Sequence, residues 1–366
     1  MRRIYVLVSV LFLTACVDRG ATVIVPEALG VGTIRDVHVA TIRAPSDNGW
    51  YGSERAKEMS FTTLSVSIPP ERRAGQVRAG YGDPRPRSQF TVAARNDIDG
   101  KAAFIARVQE DLRRKPANQR EITLFVHGYN NSFLDGAYRM AQLYHDLDLP
   151  GVPVHFSWPS AANPLGYTYD RDSVLYARDA LETVLRDLHD AGAKRIILMG
   201  HSLGTMLVME SLRQIEISDP HWTSRALGGV VLISPDLDVD LFEMQARRIA
   251  TLPQPFAIFV NARDRALALS SRINGARQRL GNLTDANALA NLPVMLVDVT
   301  AFGEGGLHHF TMGNSPLLLQ ILGQSAQLDA SFQRDRAGRS GLLPGTVLTV
   351  QNATQLILSP QLMLQN

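Results

Sequence analysis

The chain has 366 residues, of which 45% are hydrophobic and 20% are charged, and its formal net charge at pH 7 is +2. These values are ordinary for a globular protein and exclude a disordered chain or a long coiled coil. The net charge is too small to indicate a nucleic-acid-binding protein, and the single cysteine excludes a disulfide within the chain.

The single cysteine directly follows a segment typical of an export signal. Residues 1–3 are basic, and residues 4–13 are apolar but too short to span a bilayer. The sequence Leu-Thr-Ala-Cys at 13–16 follows. This ending resembles the lipobox of bacterial lipoproteins, which implies that Cys16 is acylated and becomes the mature N-terminus. The alternatives are a signal peptide whose cysteine has no role, or a buried N-terminal helix.

We therefore expect residues 1–16 to be a lipoprotein signal that exports the protein and attaches it to the bacterial cell envelope. Val17 does not resemble the Asp of an inner-membrane retention signal, so the sequence favours the outer membrane. Residues 17–35 are typical of a tether, and residues 36–325 form the predicted globular domain. Residues 326–366 are predicted to be a C-terminal extension, whose role the sequence does not assign.

The domain begins with two predicted strands and continues as a regular alternation of helices and apolar runs. The first strands are predicted at 37–42 and 61–68, before a loop at 71–89 that is rich in Arg, Gly and Pro. Helices are predicted at 102–114, 134–147, 171–191, 205–215, 239–250, 267–280 and 316–322. Between them, strands are predicted at 122–126, 152–157, 195–199, 229–234, 256–261 and 294–299. This alternation predicts an α/β fold: a mostly parallel sheet with helices on both faces and no large cap domain.

The strongest indication of function is Gly200-His201-Ser202-Leu203-Gly204, which lies between a predicted strand and a predicted helix. This pattern is typical of a nucleophile elbow, in which a sharp turn raises the serine hydroxyl above the sheet and glycine tolerates the crowded backbone. Ser202 is therefore the predicted nucleophile. A glycine-rich turn without catalysis is the alternative.

A nucleophilic serine needs a base and an acid, which follow it along the chain in that fold in the order acid, then histidine. Asp264 follows the strand predicted at 256–261 and is the preferred acid, although an Asp here would also serve as a helix N-cap. Asp236, after the preceding strand, is the second candidate. His308 and His309 are the only histidines downstream of Asp264, so the predicted base is one of these two.

The oxyanion hole needs a second backbone N–H group besides that of Leu203. We expect it in His127-Gly128-Tyr129, directly after the strand predicted at 122–126, because Gly128 lets the backbone approach the substrate carbonyl. The predicted donors are the backbone N–H groups of Tyr129 and Leu203, while the His127 ring is expected to bond to nearby loop backbone. No ligand spacing indicates a metal site, and no cofactor is expected.

Several segments together resemble a bacterial α/β-hydrolase family of largely uncharacterised esterases and lipases. They are ATIRAP at 40–45, FTTLSVSIPPERRAG at 61–75, LFVHGYNNSF at 124–133, HFSWPS at 155–160, GHSLGT at 200–205, NARDRAL at 261–267 and HFTMGNSP at 309–316. The resemblance covers about residues 37–322. It implies a triad of Ser202, Asp264 and a histidine of the last loop, and the family's spacing to Pro316 favours His309 over its neighbour.

The sequence thus predicts a serine hydrolase that cleaves carboxylic esters through an acyl-enzyme intermediate. Its expected partners are a small acyl-ester substrate and, through the lipid anchor, a membrane, with no nucleic acid. Two alternatives stay open. The same triad serves amidases, thioesterases and acyltransferases, and a lipid-anchored envelope binding protein could keep the fold without the chemistry.

Overall fold

The structure, a computed structural model, describes residues 22–275, 277–303, 306–324, 345–350 and 353–358. The predicted signal segment with Cys16 lies outside these residues, as does much of the predicted C-terminal extension. In the ranges given, no helix is both long and apolar enough to cross a membrane.

An 11-stranded sheet forms the centre of the fold. Its strands are β1 (Thr33–Pro45), β2 (Tyr51–Ile68), β3 (Thr91–Ile98), β4 (Glu121–Val126), β5 (Val152–Ser157), β6 (Arg195–His201), β7 (Leu227–Ile233), β8 (Phe256–Val260), β9 (Met295–Asp298), β10 (Gly345–Val350) and β11 (Ala353–Leu358). They lie in the order β10-β11-β9-β8-β7-β6-β4-β5-β1-β2-β3. All pairs from β11 to β1 are parallel, while β10, β2 and β3 are added antiparallel at the two edges.

Helices connect the parallel strands, as the alternating pattern predicts. They are α1 (Gly100–Arg114), α2 (Phe133–Asp146), α3 (Tyr167–Asp190), α4 (Gly204–Ser218), α5 (Trp222–Ala226), α6 (Val239–Arg248), α7 (Arg265–Ile273), α8 (Thr311–Asn314) and α9 (Pro316–Gln324). Short 3-10 helices lie at Pro26–Gly30, Ala117–Gln119, Leu280–Asn282, Ala286–Leu289 and Thr300–Phe302.

Two hydrophobic cores cover the two faces of the sheet. Successive residues of β4 alternate between them: Leu124 packs in one core, with side chains from α1, α3, α4 and α6, whereas Phe125 packs in the other, with side chains from α2 and α9. Because both faces are buried, the parallel strands at the centre of the sheet are largely apolar, which explains the apolar runs in the sequence. The predicted α/β architecture with a mostly parallel sheet is confirmed.

The N-terminal boundary of the domain differs from the prediction. The tether was expected to extend to residue 35, but Val25 and Ala28 are buried against the sheet, and the Val25 N–H donates to the Val92 carbonyl at 2.9 Å. Val92 belongs to β3, a strand that the pattern did not predict because only its first half is buried. Residues 22–35 are therefore part of the folded domain.

The C-terminal boundary differs as well. The prediction ended the domain at residue 325, yet β11 pairs in parallel with β9, and β10 pairs antiparallel with β11. The extension thereby covers the edge of β9, which would otherwise present unpaired backbone groups. The helix predicted at 267–280 also ends early, at Ile273, and Gly275 follows in the left-handed region with a φ of +77°.

Candidate active site

Ser202 lies in a sharp turn between β6 and α4, and its φ of +52° is in the left-handed region that residues other than glycine rarely adopt. Its carbonyl oxygen accepts hydrogen bonds from the Thr205 N–H at 3.0 Å, the Thr205 hydroxyl at 2.7 Å and the Asp236 N–H at 3.2 Å. These bonds hold the backbone in a conformation that costs about 1–3 kcal/mol. The geometry is that of the predicted nucleophile elbow.

The glycines of the elbow region let two loops approach each other closely. A Cβ on Gly204 would lie 2.2 Å from the carbonyl oxygen of His127, in the loop after β4. A Cβ on Gly128, in that same loop, would lie 2.8 Å from the Cβ of Ser202. Gly200 is less restricted, since its nearest contact would be 3.0 Å from a Val208 methyl group.

We expect Gly204→Ala to destabilise the protein by about 3 kcal/mol, because the added methyl group meets a backbone carbonyl that cannot move without displacing the loop. Chemical denaturation monitored by circular dichroism measures this difference. The matched control is Gly30→Ala, where an added Cβ has nothing within 4 Å. A Gly204→Ala protein as stable as the control would show that the two loops do not need this close contact.

Asp264 and His309 form the closest acid–base pair at the site. The Nδ1 atom of His309 lies 2.8 Å from Oδ2 of Asp264. The other oxygen, Oδ1, accepts the backbone N–H of Leu267 at 3.0 Å and so caps α7. The Asp264 side chain is fully buried, whereas that of His309 is 21% exposed. Capping and pairing with histidine, which the sequence poses as alternatives, are therefore both performed by one carboxylate.

His309 lies next to the nucleophile elbow. Its ring centroid is 5.0 Å from that of His201, the residue before Ser202. In the described part of the chain, no hydrogen bond joins the Ser202 hydroxyl to His309, a bond that often tightens only when substrate binds. The His201 ring also contacts Phe310 at 4.4 Å, and its burial, with His309 nearby, lowers its pKa well below the usual value. The His201 imidazole is therefore neutral and forms part of the wall of the site.

In the described ranges, no histidine forms a hydrogen bond or ion pair with the second acid candidate, Asp236. Its Oδ1 accepts the Ser270 hydroxyl at 2.6 Å, and its Oδ2 accepts the Tyr167 hydroxyl at 3.0 Å. Nor does it cap the helix that follows, since Asp238 accepts the first backbone N–H groups of α6. Asp236 instead belongs to a polar cluster beside the elbow.

Among the described residues, Asp264 bonds to His309 and not to the second base candidate, His308. Its φ is +57°, and its ring lies against Gly303, where a Cβ would be 2.7 Å from Nδ1. Its carbonyl oxygen accepts the Thr311 hydroxyl at 3.0 Å and the Asn261 amide at 3.3 Å. In this arrangement His308 shapes the loop, and its neighbour faces Asp264.

The two predicted oxyanion donors lie in the two segments that approach each other, Leu203 in the elbow and Tyr129 in the loop after β4. Within the described residues, neither the Leu203 nor the Tyr129 backbone N–H donates to a protein acceptor. The Tyr129 side chain is held in place by a hydrogen bond from its hydroxyl to the Pro164 carbonyl. Both N–H groups thus remain able to donate to a substrate oxygen.

A buried arginine holds in place the loop after β4, residues 127–131, which carries the predicted donor Tyr129 and is called the oxyanion loop below. The sequence analysis did not identify this arginine. Arg43 of β1 is 1% exposed, and its guanidinium donates to the carbonyls of Asn131 at 2.8 Å and Ser160 at 3.0 Å. Burial lowers the pKa of Arg43 to about 10, so it stays charged at neutral pH. An arginine in an otherwise apolar strand run was the available signal, because such a residue is almost never fully buried without partners.

Asp170 of α3 completes this support from the other side of the loop. Its carboxylate accepts the Ser160 hydroxyl at 2.6 Å, the Ala161 N–H at 2.6 Å and the Asn130 N–H at 3.2 Å. The His127 ring nitrogens lie 2.9 Å and 3.0 Å from the carbonyl oxygens of Gly128 and Trp158, so the ring packs against nearby loop backbone, as expected for a structural histidine. The loop is thus held by buried polar groups that come from distant parts of the chain.

The described residues contain no group of three or more His, Cys, Asp or Glu side chains that could hold a metal ion.

Comparison with known proteins identifies one family. A family model described as "Alpha/beta hydrolase of unknown function (DUF900)" matches residues 101–325. The match begins after β3, so it includes the three predicted triad residues but not Arg43. No curated protein matches the chain significantly.

Solved structures with a similar fold include three hydrolases from archaea. A predicted CIB-like hydrolase from Thermoplasma acidophilum is 19% identical with a TM-score of 0.35, and the match covers 60% of this chain and 89% of the hydrolase chain. The esterase Pf2001 from Pyrococcus furiosus is 12% identical with a TM-score of 0.39, covering 84% and 96%. An esterase from Pyrobaculum calidifontis is 14% identical with a TM-score of 0.36, covering 84% and 87%. At these TM-scores, the similarities do not contribute to the assignment of function.

Proposed function

The chain belongs to the family of alpha/beta hydrolases of unknown function, and on that basis we propose that it is a serine hydrolase that cleaves carboxylic esters. The observation that supports this most directly is the 2.8 Å hydrogen bond between His309 and the buried carboxylate of Asp264. The pair lies beside Ser202, whose φ of +52° is typical of a nucleophile elbow.

In the proposed mechanism, the Ser202 hydroxyl oxygen attacks the ester carbonyl carbon while its proton moves to Nε2 of His309. The tetrahedral intermediate then collapses, the bond to the alcohol breaks, and the alcohol leaves with the proton from His309. Water attacks the acyl-enzyme in the same way and releases the carboxylic acid. Throughout, Asp264 holds the imidazole with Nδ1–H facing the carboxylate and stabilises the imidazolium.

The N–H groups of Tyr129 and Leu203 stabilise the oxyanion of both tetrahedral intermediates. A donor of this kind lowers the barrier by about 3 kcal/mol, because it is already oriented when the negative charge develops. Arg43 and Asp170 are positioning residues: they hold the loop that carries Tyr129 and take no direct part in the reaction.

Labelling with an active-site-directed fluorophosphonate tests this proposal. We expect a single covalent adduct, located on Ser202 by peptide mass spectrometry, and hydrolysis of 4-nitrophenyl esters that varies with acyl chain length. Protein denatured before labelling is the control for nonspecific reaction. A folded protein that forms no adduct would contradict a serine-hydrolase function. Faster turnover of matched amides or thioesters would retain the nucleophile but contradict ester specificity.

We also propose that the mature protein is lipid-anchored to the cell envelope through Cys16, a residue outside the described part of the chain. Support comes from the lipobox-like sequence at 13–16 and from the absence of any other cysteine. We expect mass spectrometry of the membrane-derived protein to find a diacylated N-terminal Cys16, and density-gradient fractionation to recover it with outer-membrane markers. Cys16→Ser, the control, should leave the membrane fraction. An unmodified Cys16, or cleavage elsewhere, would contradict the anchor.

A further inference from the structure

A cavity of about 220 Å³ lies beside the nucleophile elbow, and its lining is rich in charged residues. These are Arg171, Arg277, Arg279, Asp236 and Asp238. The cavity adjoins the reaction centre, because the Asp236 N–H donates to the Ser202 carbonyl at 3.2 Å and the first turn of α4 forms part of the wall.

Arg279 is a buried cation of this cavity with unused hydrogen-bond donors. Its side chain is 4% exposed, and its Nε lies 3.3 Å from Oδ1 of Asp236. In the described part of the chain, neither Nε nor Nη2 of Arg279 donates a hydrogen bond. A buried guanidinium normally has its donors satisfied, since each unsatisfied group keeps its desolvation cost. Unused donors at the wall of a cavity indicate that an acceptor from a ligand completes the set.

The two carboxylates of the cavity are already engaged. Asp236 accepts the hydroxyls of Ser270 and Tyr167, and Asp238 caps α6, where the helix dipole favours its negative charge. Arg171, in contrast, donates to the neutral side chain of Asn274 at 2.8 Å. No carboxylate among the described residues lies within 4.0 Å of the Arg171 guanidinium. Arg277 lies 3.8 Å from Asp240 and Arg279 lies 3.3 Å from Asp236, so Arg171 is the arginine of the cavity whose positive charge no described carboxylate approaches within 4.0 Å.

Contacts through Tyr167 connect this cavity to the oxyanion hole. The Tyr167 hydroxyl donates to Asp236, and its ring lies edge-on to that of Tyr129, with the centroids 5.4 Å apart. The Asn274 amide also donates to the Tyr167 hydroxyl at 3.2 Å. A substrate whose carbonyl binds at Tyr129 would thus extend along this wall toward the arginines.

We propose that this cavity binds an anionic group, a carboxylate or a phosphate, carried by the ester substrate. The inference rests on the proposed esterase function and specifies its substrate class. The planar guanidinium of Arg279 suits both anions, since it donates parallel hydrogen bonds to two oxygens. The cavity is smaller than the roughly 300 Å³ at which pockets for whole small molecules begin, so it fits a charged group rather than an acyl chain.

The test compares an anionic and a neutral ester of similar size: the mono-4-nitrophenyl ester of succinic acid and 4-nitrophenyl butyrate. A second pair, 4-carboxyphenyl butyrate and phenyl butyrate, places the charge on the leaving group. We expect kcat/KM to favour the anionic member of at least one pair. In the Arg279→Met variant, the ratio of kcat/KM for the anionic ester to kcat/KM for the neutral ester should fall by roughly 10- to 100-fold. The matched control is Arg272→Met, because Arg272 is exposed on α7 and does not line the cavity, so its ratio should not change.

Loss of Arg279 leaves Asp236 without its cation and could prevent folding. A second variant therefore tests the same inference independently. Arg171→Gln removes a cavity charge that has no acidic partner, and it should also lower the ratio. Equal ratios in the wild type and in both variants, with robust turnover of the neutral esters, would overturn the inference and leave the esterase function intact.

Measuring anion binding to the Ser202→Ala protein tests the anion site independently of ester hydrolysis. Calorimetric titration with inorganic phosphate and with succinate should detect binding of at least one, weakened roughly 10-fold or more by the further change Arg279→Met. The stronger binder identifies the anion that the cavity prefers. No binding of either would overturn the inference even if no ester is hydrolysed. An anion that binds while esters show no charge preference would overturn the assignment of the cavity to substrate recognition.

Discussion

Ser202→Ala is expected to lower kcat for ester hydrolysis by about 10⁶-fold and to abolish fluorophosphonate labelling, because no other atom of the site can form the acyl-enzyme. The fold should be retained. The bonds that hold the elbow use the backbone of Ser202 rather than its hydroxyl, and alanine tolerates the positive φ about as well as serine does. Steady-state kinetics and circular dichroism measure the two quantities.

The matched control for this change is Ser224→Ala. Ser224 lies on α5, which precedes β7 and is therefore at the opposite end of the parallel strands from the elbow. Its hydroxyl bonds only locally, to the His221 carbonyl. We expect full activity and labelling in this variant. A Ser202→Ala protein that keeps wild-type turnover would disprove the serine-hydrolase function outright.

Asp264→Asn is expected to lower kcat by about 10⁴-fold while changing the free energy of unfolding by less than about 1 kcal/mol. Asparagine is an N-cap as good as aspartate, so α7 keeps its cap. The amide cannot, however, stabilise an imidazolium, and its NH₂ group favours the wrong tautomer of His309. The substitution therefore separates the two roles of this carboxylate, and the comparison needs kinetics and denaturation on the same samples.

Asp236→Asn provides the comparison with the second acid candidate. Asp236 accepts two hydroxyl groups and faces Arg279, so its loss should impair the site, but by at least about 100-fold less than loss of Asp264. His309→Ala and His308→Ala form the corresponding pair for the base. If Asp236→Asn or His308→Ala were the more damaging member of its pair, the triad would be assigned to the wrong strand or the wrong residue.

Much of the fold was predictable from the chain because it depends on local patterns. An apolar run of about five residues followed by an amphipathic helix specifies a βα unit wherever it occurs, and repetition of this unit predicts the parallel sheet. The edge strands were harder to predict. β3 is buried over only half its length, and β11 acquires its place through pairing with β9, more than fifty residues earlier in the chain.

In the candidate site, too, some features follow from the local sequence and others from contacts between distant segments. The sequence by itself determined the elbow at Ser202, because its glycines and its position between a strand and a helix are local features. It also determined the order of nucleophile, acid and base along the chain. The catalytic roles stay predictions until the variants are measured.

Only the tertiary structure decided which side chains meet. His308 and His309 differ by one position in the chain, yet it is His309 that bonds to Asp264, while the His308 ring lies against Gly303. Arg43 supports the oxyanion loop from a strand 88 residues earlier. Such contacts depend on how distant segments pack, and burial makes them specific, because a charged or polar group removed from water requires a partner that the local sequence does not supply.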